Sequence, residues 1–222
     1  MSLSQCSDEM TLLEIERKFA FHPALLSQFR RNGGAPPFTH LQHLGSQKFH
    51  DIYFDGKRDI LARHGIWVRQ RNGVWQAKQR VQNHCDKKGE HTGSSREDVF
   101  LRTVFNEISC PREIHALVTR YVPSGLSFPS ADCNFGLQPI ANFTTSRETF
   151  LADERFHVVL DETCFGHRVG EVELLAERGE EQHAQLEIDR FMERYRWFFL
   201  SCGNNSVKGK LSAHFERFPV SF

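Results

Sequence analysis

The chain has 222 residues, which is enough for one domain with a sizeable core, and its 20 phenylalanines supply much of the apolar volume. Lysine plus arginine and aspartate plus glutamate number 28 each, so the formal net charge is zero. A basic field over the whole protein, which would hold nucleic acid or an acidic membrane surface, is therefore excluded. We expect neither partner, and any anion site must be built locally.

The N-terminus, MSLSQCSDEM, lacks the basic and apolar segments of a secretory signal. No apolar run approaches the roughly 18 residues of a membrane helix. The six cysteines lie far apart with no CxxC pair, which favours reduced thiols. These features predict a cytoplasmic protein. No linker or repeat divides residues 1–222, so we expect a single domain and a monomer, although the sequence does not fix the oligomeric state.

The predicted elements are mostly strands. A strand at 11–21 is followed by a short helix at 22–32. Alternation predicts strands at 47–55, 65–72, 74–82 and 97–105, with Arg71-Asn72-Gly73 as a tight hairpin turn. Pro111 is expected to begin a helix that extends to Tyr121. A connection at 123–142, strands at 143–151, 155–162 and 168–176, a helix at about 180–200 and a last strand at 207–217 complete the chain. The core-facing stripe predicted for the long helix is Leu186, Met192, Tyr195 and Phe199.

Charged side chains share faces of these strands, because strand side chains alternate with period two. The sets of residues that share a strand face are Glu14, Glu16 and Lys18; Trp67, Arg69 and Arg71; Gln76, Lys78 and Arg80; Glu171 and Glu173; and Lys208 and Lys210. Arg147 and Asp161 lie on further strands. An ordinary sheet with one solvated face is the simpler explanation. The opposite faces, however, are strongly apolar and need helices packed against them. The sequence therefore predicts an α+β fold, a predominantly antiparallel β-barrel of about eight strands with a charged lumen and helices packed outside.

The charges inside such a barrel indicate a ligand. Arginine forks match phosphate oxygens, and lysine adds a point charge. Carboxylates would repel a polyphosphate directly, but their oxygens are the ligands that Mg²⁺ or Mn²⁺ requires. A lumen that holds both kinds of group is suited to a small-molecule triphosphate with a divalent metal.

Several motifs occur in an order that resembles a known family. They are ExExK at 14–18, HDIYFD at 50–55, WVRQR at 67–71, WQAK at 75–78, VLDETCFG at 159–166, GEVE at 170–173 and GKLSAHFERF at 209–218. Together with Arg147 they resemble the CYTH, or triphosphate tunnel metalloenzyme, family over nearly the whole chain. The combination is most similar to the family's members that hydrolyse thiamine triphosphate.

The resemblance implies roles for individual residues. Substrate would be bound by Lys18, Trp67, Arg69, Arg71, Lys78, Arg147 and Lys210, with Trp67 stacking on the thiamine. Divalent metal, Mg²⁺ or Mn²⁺, would be held by Glu14, Glu16, Asp161, Glu171 and Glu173. Lys78 is the catalytic candidate for activating or orienting water, because surrounding arginines should lower its pKa, and a metal-bound water is the rival. Glu97 is a further candidate carboxylate, and Asp51 and Asp55 are expected to cap backbone amides.

Alternative functions remain open at this point. The same lumen could hydrolyse inorganic tripolyphosphate or a nucleoside triphosphate, or cyclise a nucleoside triphosphate. A non-catalytic polyphosphate-binding protein is the alternative from another class. The complete set of carboxylates argues against that alternative, because a pure anion binder has little use for five acids.

Overall fold

The computed structural model describes residues 12–81, 102–122, 131–199 and 207–219. Its strands are β1 (Leu13–Phe19), β2 (Leu41–Asp55), β3 (Ile66–Arg71), β4 (Val74–Arg80), β5 (Arg102–Ile108), β6 (Gln138–Ala152), β7 (Phe156–Thr163) and β8 (Arg168–Ala176). Its α-helices are α1 (Leu26–Arg30), α2 (Ile60–Arg63), α3 (Pro111–Thr119), α4 (Glu181–Arg194), α5 (Arg196–Phe199) and α6 (Lys210–Arg217). Short 3₁₀ helices lie at Pro23–Leu25, Lys57–Asp59 and Ala131–Gly136.

The eight strands form a closed ring in the order β1-β5-β4-β3-β2-β6-β7-β8. Every neighbouring pair is antiparallel, and the β1–β8 ladder, from Leu13 opposite Ala176 to Phe19 opposite Gly170, closes the barrel. The predicted α+β fold with an eight-stranded antiparallel barrel is confirmed. Closure leaves the strands with an inner and an outer face, so the alternation of each strand decides what enters the lumen.

The hydrophobic core lies outside the barrel. Leu13 and Ile15 on the outer face of β1 are fully buried in one cluster with Ile188 and Phe191 of α4. A second cluster packs β3 and β4 against α3. Gly170 belongs to the same outer layer, because a Cβ there would lie 2.2 Å from the ring of Phe19. The apolar residues of the strands therefore pack against helices, and the polar residues of the same strands face inward.

Several predicted boundaries differ from the structure. β2 begins at Leu41, because it pairs with β6 as far as Ala152, well before the predicted start at 47. β6 begins at Gln138, inside the predicted connection at 123–142. β5 runs from Arg102 to Ile108, and the predicted strand residues 97–101 lie outside the described residues. The hairpin turn at Asn72 and Gly73 is confirmed, with φ angles of 48° and 82°.

Two predictions about the C-terminal part are wrong. The segment predicted as a strand at 207–217 contains the helix α6, which begins at Lys210. Leu186, predicted in the core stripe of the long helix, is 53% exposed. The other three predicted stripe residues, Met192, Tyr195 and Phe199, are buried as expected. Within α4 the buried residues are Ala184, Ile188, Phe191 and Met192, which repeat at helical spacing on a different face from Leu186. No helix in the described part of the chain is long and apolar enough to cross a membrane.

Candidate functional site

The barrel encloses a cavity of about 520 Å³. Seven of the strands contribute lining side chains, and the segment before α6 together with the first turn of α6 contributes the rest. The charged lining residues are Glu14, Glu16, Lys18, Arg69, Arg71, Lys78, Arg80, Glu107, Arg147, Glu171, Glu173, Lys208 and Lys210. The inward alternation predicted for these residues of β1, β3, β4, β6 and β8 brings them together in this lumen.

Glu14, Glu16 and Glu173 form a carboxylate cluster. Each offers one oxygen, and the three oxygens lie within 4.8 Å of one another. Glu16 stands opposite Glu173 in the β1–β8 register, which explains why these two meet. An octahedral Mg²⁺ with bonds of about 2.1 Å places ligand oxygens about 3 to 4 Å apart, and it prefers carboxylate oxygens. The cluster therefore fits a hard divalent cation.

Burial and mutual repulsion shift the pKa values of this cluster. Burial, together with Glu173 and Glu16, raises the pKa of Glu14 to about 9 although Lys78 opposes the shift. Burial and Glu171 raise the pKa of Glu173 to about 7. Burial alone would also raise the pKa of Glu16, but Lys18 reverses the effect and the pKa is lowered. Crowded carboxyl groups with raised pKa values are a place where a cation can replace protons.

Lys78 lies among carboxylates. Its Nζ is 2.7 Å from Glu14, 3.7 Å from Glu16 and 3.0 Å from Glu107. Burial alone would lower the pKa of Lys78, but these carboxylates outweigh burial and raise it. The expectation that arginines lower the pKa of Lys78 is therefore wrong, because acids and not arginines are its nearest charged neighbours. The raised pKa favours the ammonium form of Lys78 in this lumen.

Lys18 connects the cluster to Glu171. Its Nζ bonds to the Glu16 carboxylate and lies 3.1 Å from Glu171. Burial would lower the pKa of Lys18, but the two glutamates reverse this effect and raise it. Burial would likewise raise the pKa of Glu171, but Lys18, Lys210 and Arg147 outweigh burial and hold it well below its ordinary value. These shifts favour the ionised forms of Lys18 and Glu171, whereas the pKa values of Glu14 and Glu173 are raised.

Arg147 and Lys210 converge on Asp161. Arg147 Nε and Nη2 each donate a hydrogen bond of 2.7 Å to the two oxygens of Asp161, and Lys210 Nζ bonds to the same carboxylate. Lys210 reaches the lumen from the first turn of α6 and not from a strand. Burial would raise the pKa of Asp161, but Lys210 and Arg147 lower it. The structure therefore places Asp161 with two cations, whereas Glu14, Glu16 and Glu173 form the group that could share a metal.

Arg69 and Arg71 differ in their partners. Arg69 Nε donates to Gln76 Oε1 at 3.0 Å. Arg71 Nε and Nη2 each donate a 2.8 Å hydrogen bond to Asp51. The prediction that Asp51 caps backbone amides is wrong, because its position opposite Arg71 in the β2–β3 register gives it a buried ion pair. The same prediction for Asp55 is confirmed, since its carboxylate accepts from the amides of Gly56, Leu61 and Ala62.

Trp67 lies beside Phe105 at the cavity wall. The two rings meet edge to face with centroids 5.5 Å apart, and Lys78 Nζ lies 5.3 Å from the centre of Phe105. Trp67 stands opposite Lys78 in the β3–β4 register. An aromatic surface is thus present directly beside the charged part of the lumen.

Sequence reasoning misses two carboxylates of this region. The predicted strand ends at 105 and so leaves out Glu107, although Glu107 alternates with Phe105 and Thr103 on the inner face of β5. Continuing the alternation by two residues would have found it. Asp51 is missed as a partner of an arginine because a capping role is expected for it, whereas its position opposite Arg71 depends on the β2–β3 register. Glu97, the further candidate, lies outside the described residues.

The structure is a closed antiparallel barrel whose lumen combines a carboxylate cluster, which could hold a metal ion, with lysines and arginines, which are suited to an anion. Residues 12–196 match the model of the CYTH domain, and the chain belongs to this family. CYTH-domain proteins are metal-dependent enzymes that act on triphosphates.

Known relatives agree with this assignment. The chain is 26% identical to the human protein named thiamine-triphosphatase over 219 residues, covering 93% of this chain and 86% of the relative. A solved structure from Pyrococcus horikoshii has a TM-score of 0.54 at 15% identity and covers 92% of this chain and 99% of its own. A protein from Vibrio parahaemolyticus, whose name proposes an adenylate cyclase, has a TM-score of 0.52 at 12% identity and covers 90% and 96%. The two structural likenesses show the fold alone.

Proposed function

We propose that this chain hydrolyses thiamine triphosphate to thiamine diphosphate and phosphate with Mg²⁺ or Mn²⁺. The observation that carries the proposal is the combination, in one cavity, of three carboxylates that can share a metal with a set of lysines and arginines. A triphosphate needs both groups, because its charge must be neutralised while its phosphates are held in line.

The metal would be held by Glu14, Glu16 and Glu173, whose carboxylate oxygens are close enough to share one ion. When bound, a divalent cation neutralises phosphate charge and makes water more acidic. Lys78 would donate a hydrogen bond to a phosphate oxygen, because it remains an ammonium group. The arginine forks of Arg69, Arg71 and Arg147 would hold the phosphate chain.

Thiamine as the organic group is supported by two observations. The human relative bears the name thiamine-triphosphatase. Trp67 and Phe105 supply an aromatic surface next to the charged lumen, and thiamine carries a cationic ring that an aromatic face attracts. Inorganic tripolyphosphate is the second candidate, since most of the lining is charged and needs no organic group.

A substrate panel tests the proposal. Phosphate release from thiamine triphosphate, inorganic tripolyphosphate and ATP is measured with Mg²⁺ or Mn²⁺, and cyclic AMP is assayed with ATP. The highest kcat/KM should be that of thiamine triphosphate. A preference for tripolyphosphate or ATP would move the substrate to that compound, and binding without turnover would favour a polyphosphate-binding protein. For substitutions of lumen glutamates such as Glu173→Gln, the control variant is Glu162→Gln, because Glu162 is exposed and pairs with Arg168 away from the lumen.

A further inference from the structure

Arg71 is held on two sides by residues to which the proposed function gives no role. Asp51 accepts two hydrogen bonds of 2.8 Å from its Nε and Nη2. Phe49 lies against the guanidinium face, with Arg71 Cζ 3.7 Å from the ring centroid. Asp51 is 0% exposed and Phe49 is 3% exposed, so neither is free to move away.

These contacts leave one edge of the guanidinium for a ligand. A guanidinium carries five N–H donors in a planar fork, and Asp51 takes two of them along the Nε–Nη2 edge. Phe49 covers one face and opposes rotation of the plane. The Nη1–Nη2 edge remains available, and Arg71 lines the cavity. A phosphate would therefore bind a guanidinium group whose orientation is already fixed.

We propose that Asp51 and Phe49 are positioning residues that orient Arg71 toward the phosphate chain. The inference rests on the proposed function only in requiring that the cavity binds a triphosphate. Arg147 has a similar arrangement, since Asp161 takes its Nε–Nη2 edge and its Cζ lies 5.4 Å from the same Phe49 ring. One ring thus contacts two arginines that line the cavity.

The sign of one mutational effect separates positioning from simple electrostatics. Asp51 is an anion near a site for anions, so charge alone predicts that Asp51→Asn strengthens phosphate binding. A positioning role predicts weaker phosphate binding, because Arg71 without its two hydrogen bonds to the Asp51 carboxylate loses its fixed orientation. The two explanations therefore differ in direction and not only in size.

The experiment measures the Kd of inorganic tripolyphosphate with Mg²⁺ by titration calorimetry, and kcat and KM for thiamine triphosphate. Wild type, Asp51→Asn, Arg71→Gln and the double variant form a mutant cycle. Asp51→Asn should weaken binding about tenfold in the wild-type background and less than about threefold beside Arg71→Gln, with KM changing more than kcat. Phe49→Leu should also weaken binding, and it replaces Asp51→Asn in the experiment if Asp51→Asn does not fold.

Asp55→Asn is the matched control, because Asp55 is a buried aspartate of the same strand that caps amides and contacts no arginine in the described residues. It should lower the melting temperature and leave Kd unchanged. Tighter or unchanged binding in folded Asp51→Asn, or an equal loss in both backgrounds, would overturn the positioning role alone. If the wild type neither bound tripolyphosphate nor turned over thiamine triphosphate, the proposed function would be overturned as well.

Discussion

Lys78 Nζ lies 2.7 Å from the carboxylate of Glu14 inside the barrel, and this contact helps to keep the lysine charged. A charged lysine can stabilise negative charge on a phosphate but cannot accept a proton from water. We therefore propose that Lys78 acts as a hydrogen-bond donor that binds phosphate or orients water, and that it does not act as a base.

Lys78→Met should lower kcat/KM for the triphosphate about 10- to 100-fold, because one charge-assisted hydrogen bond is worth roughly 1.5–3 kcal/mol. Lys78→Arg keeps the charge and should retain more activity than Lys78→Met. Both are measured by phosphate release across pH. If wild-type activity rose with pH through a pKa that disappeared in Lys78→Arg, the lysine would act as the titrating base and this assignment would fail.

Glu173→Gln should change how stability depends on pH in the metal-free protein. The folded pKa of Glu173 is raised from its ordinary value of 4.5 to about 7, so the folded state binds the proton more tightly. The wild-type protein therefore loses stability as pH rises from about 4.5 to about 7. The Glu173→Gln variant should lose less stability over the same pH range. Thermal melts in EDTA between about pH 5 and pH 8 measure the difference. An identical pH dependence of the two proteins would contradict the raised pKa.

Arg69→Lys and Arg71→Lys should each lower kcat/KM by about tenfold or more, although both retain a positive charge, because lysine cannot form the two-pronged contact with phosphate. Arg168→Lys is the control, since Arg168 is exposed and pairs with Glu162. Values within twofold of wild type for both lumen variants would remove these arginines from the phosphate site.

Trp67→Leu should weaken kcat/KM for thiamine triphosphate about tenfold and leave tripolyphosphate hydrolysis nearly unchanged, because a cation–π contact of roughly 0.5–2 kcal/mol exists only with the ring. Trp67 also packs edge to face on Phe105, so a purely structural role predicts equal losses for both substrates. Measuring both substrates on one folded variant separates the two.

Alternation is sufficient to predict which residues of β1, β3 and β8 enter the lumen, because a closed barrel turns one face of each strand inward. Alternation fails at α6. Leu211, Ala213 and Phe215 alternate as in a strand, but Leu211 and Phe215 are also one helical turn apart, and the structure adopts the helix. Lys210 is nevertheless in the lumen, through its place at the start of that helix.

Partners across strands could not be predicted from one sequence. Lys78 meets Glu14 over a separation of 64 residues, and Arg71 meets Asp51 over 20. Both contacts depend on the strand order and register, which local patterns do not fix. The charges of the site were therefore predictable, whereas their pairing, and with it the pKa of Lys78, was not.

The most direct test of the account is the metal dependence of thiamine triphosphate hydrolysis. Phosphate release is measured on protein freed of metal with EDTA and then on the same sample after Mg²⁺ is restored, with Glu173→Gln and Glu162→Gln in parallel. Activity should be absent without metal, return with Mg²⁺ in wild type and Glu162→Gln, and stay about a thousandfold lower in Glu173→Gln. Undiminished turnover by metal-free wild type would contradict the account.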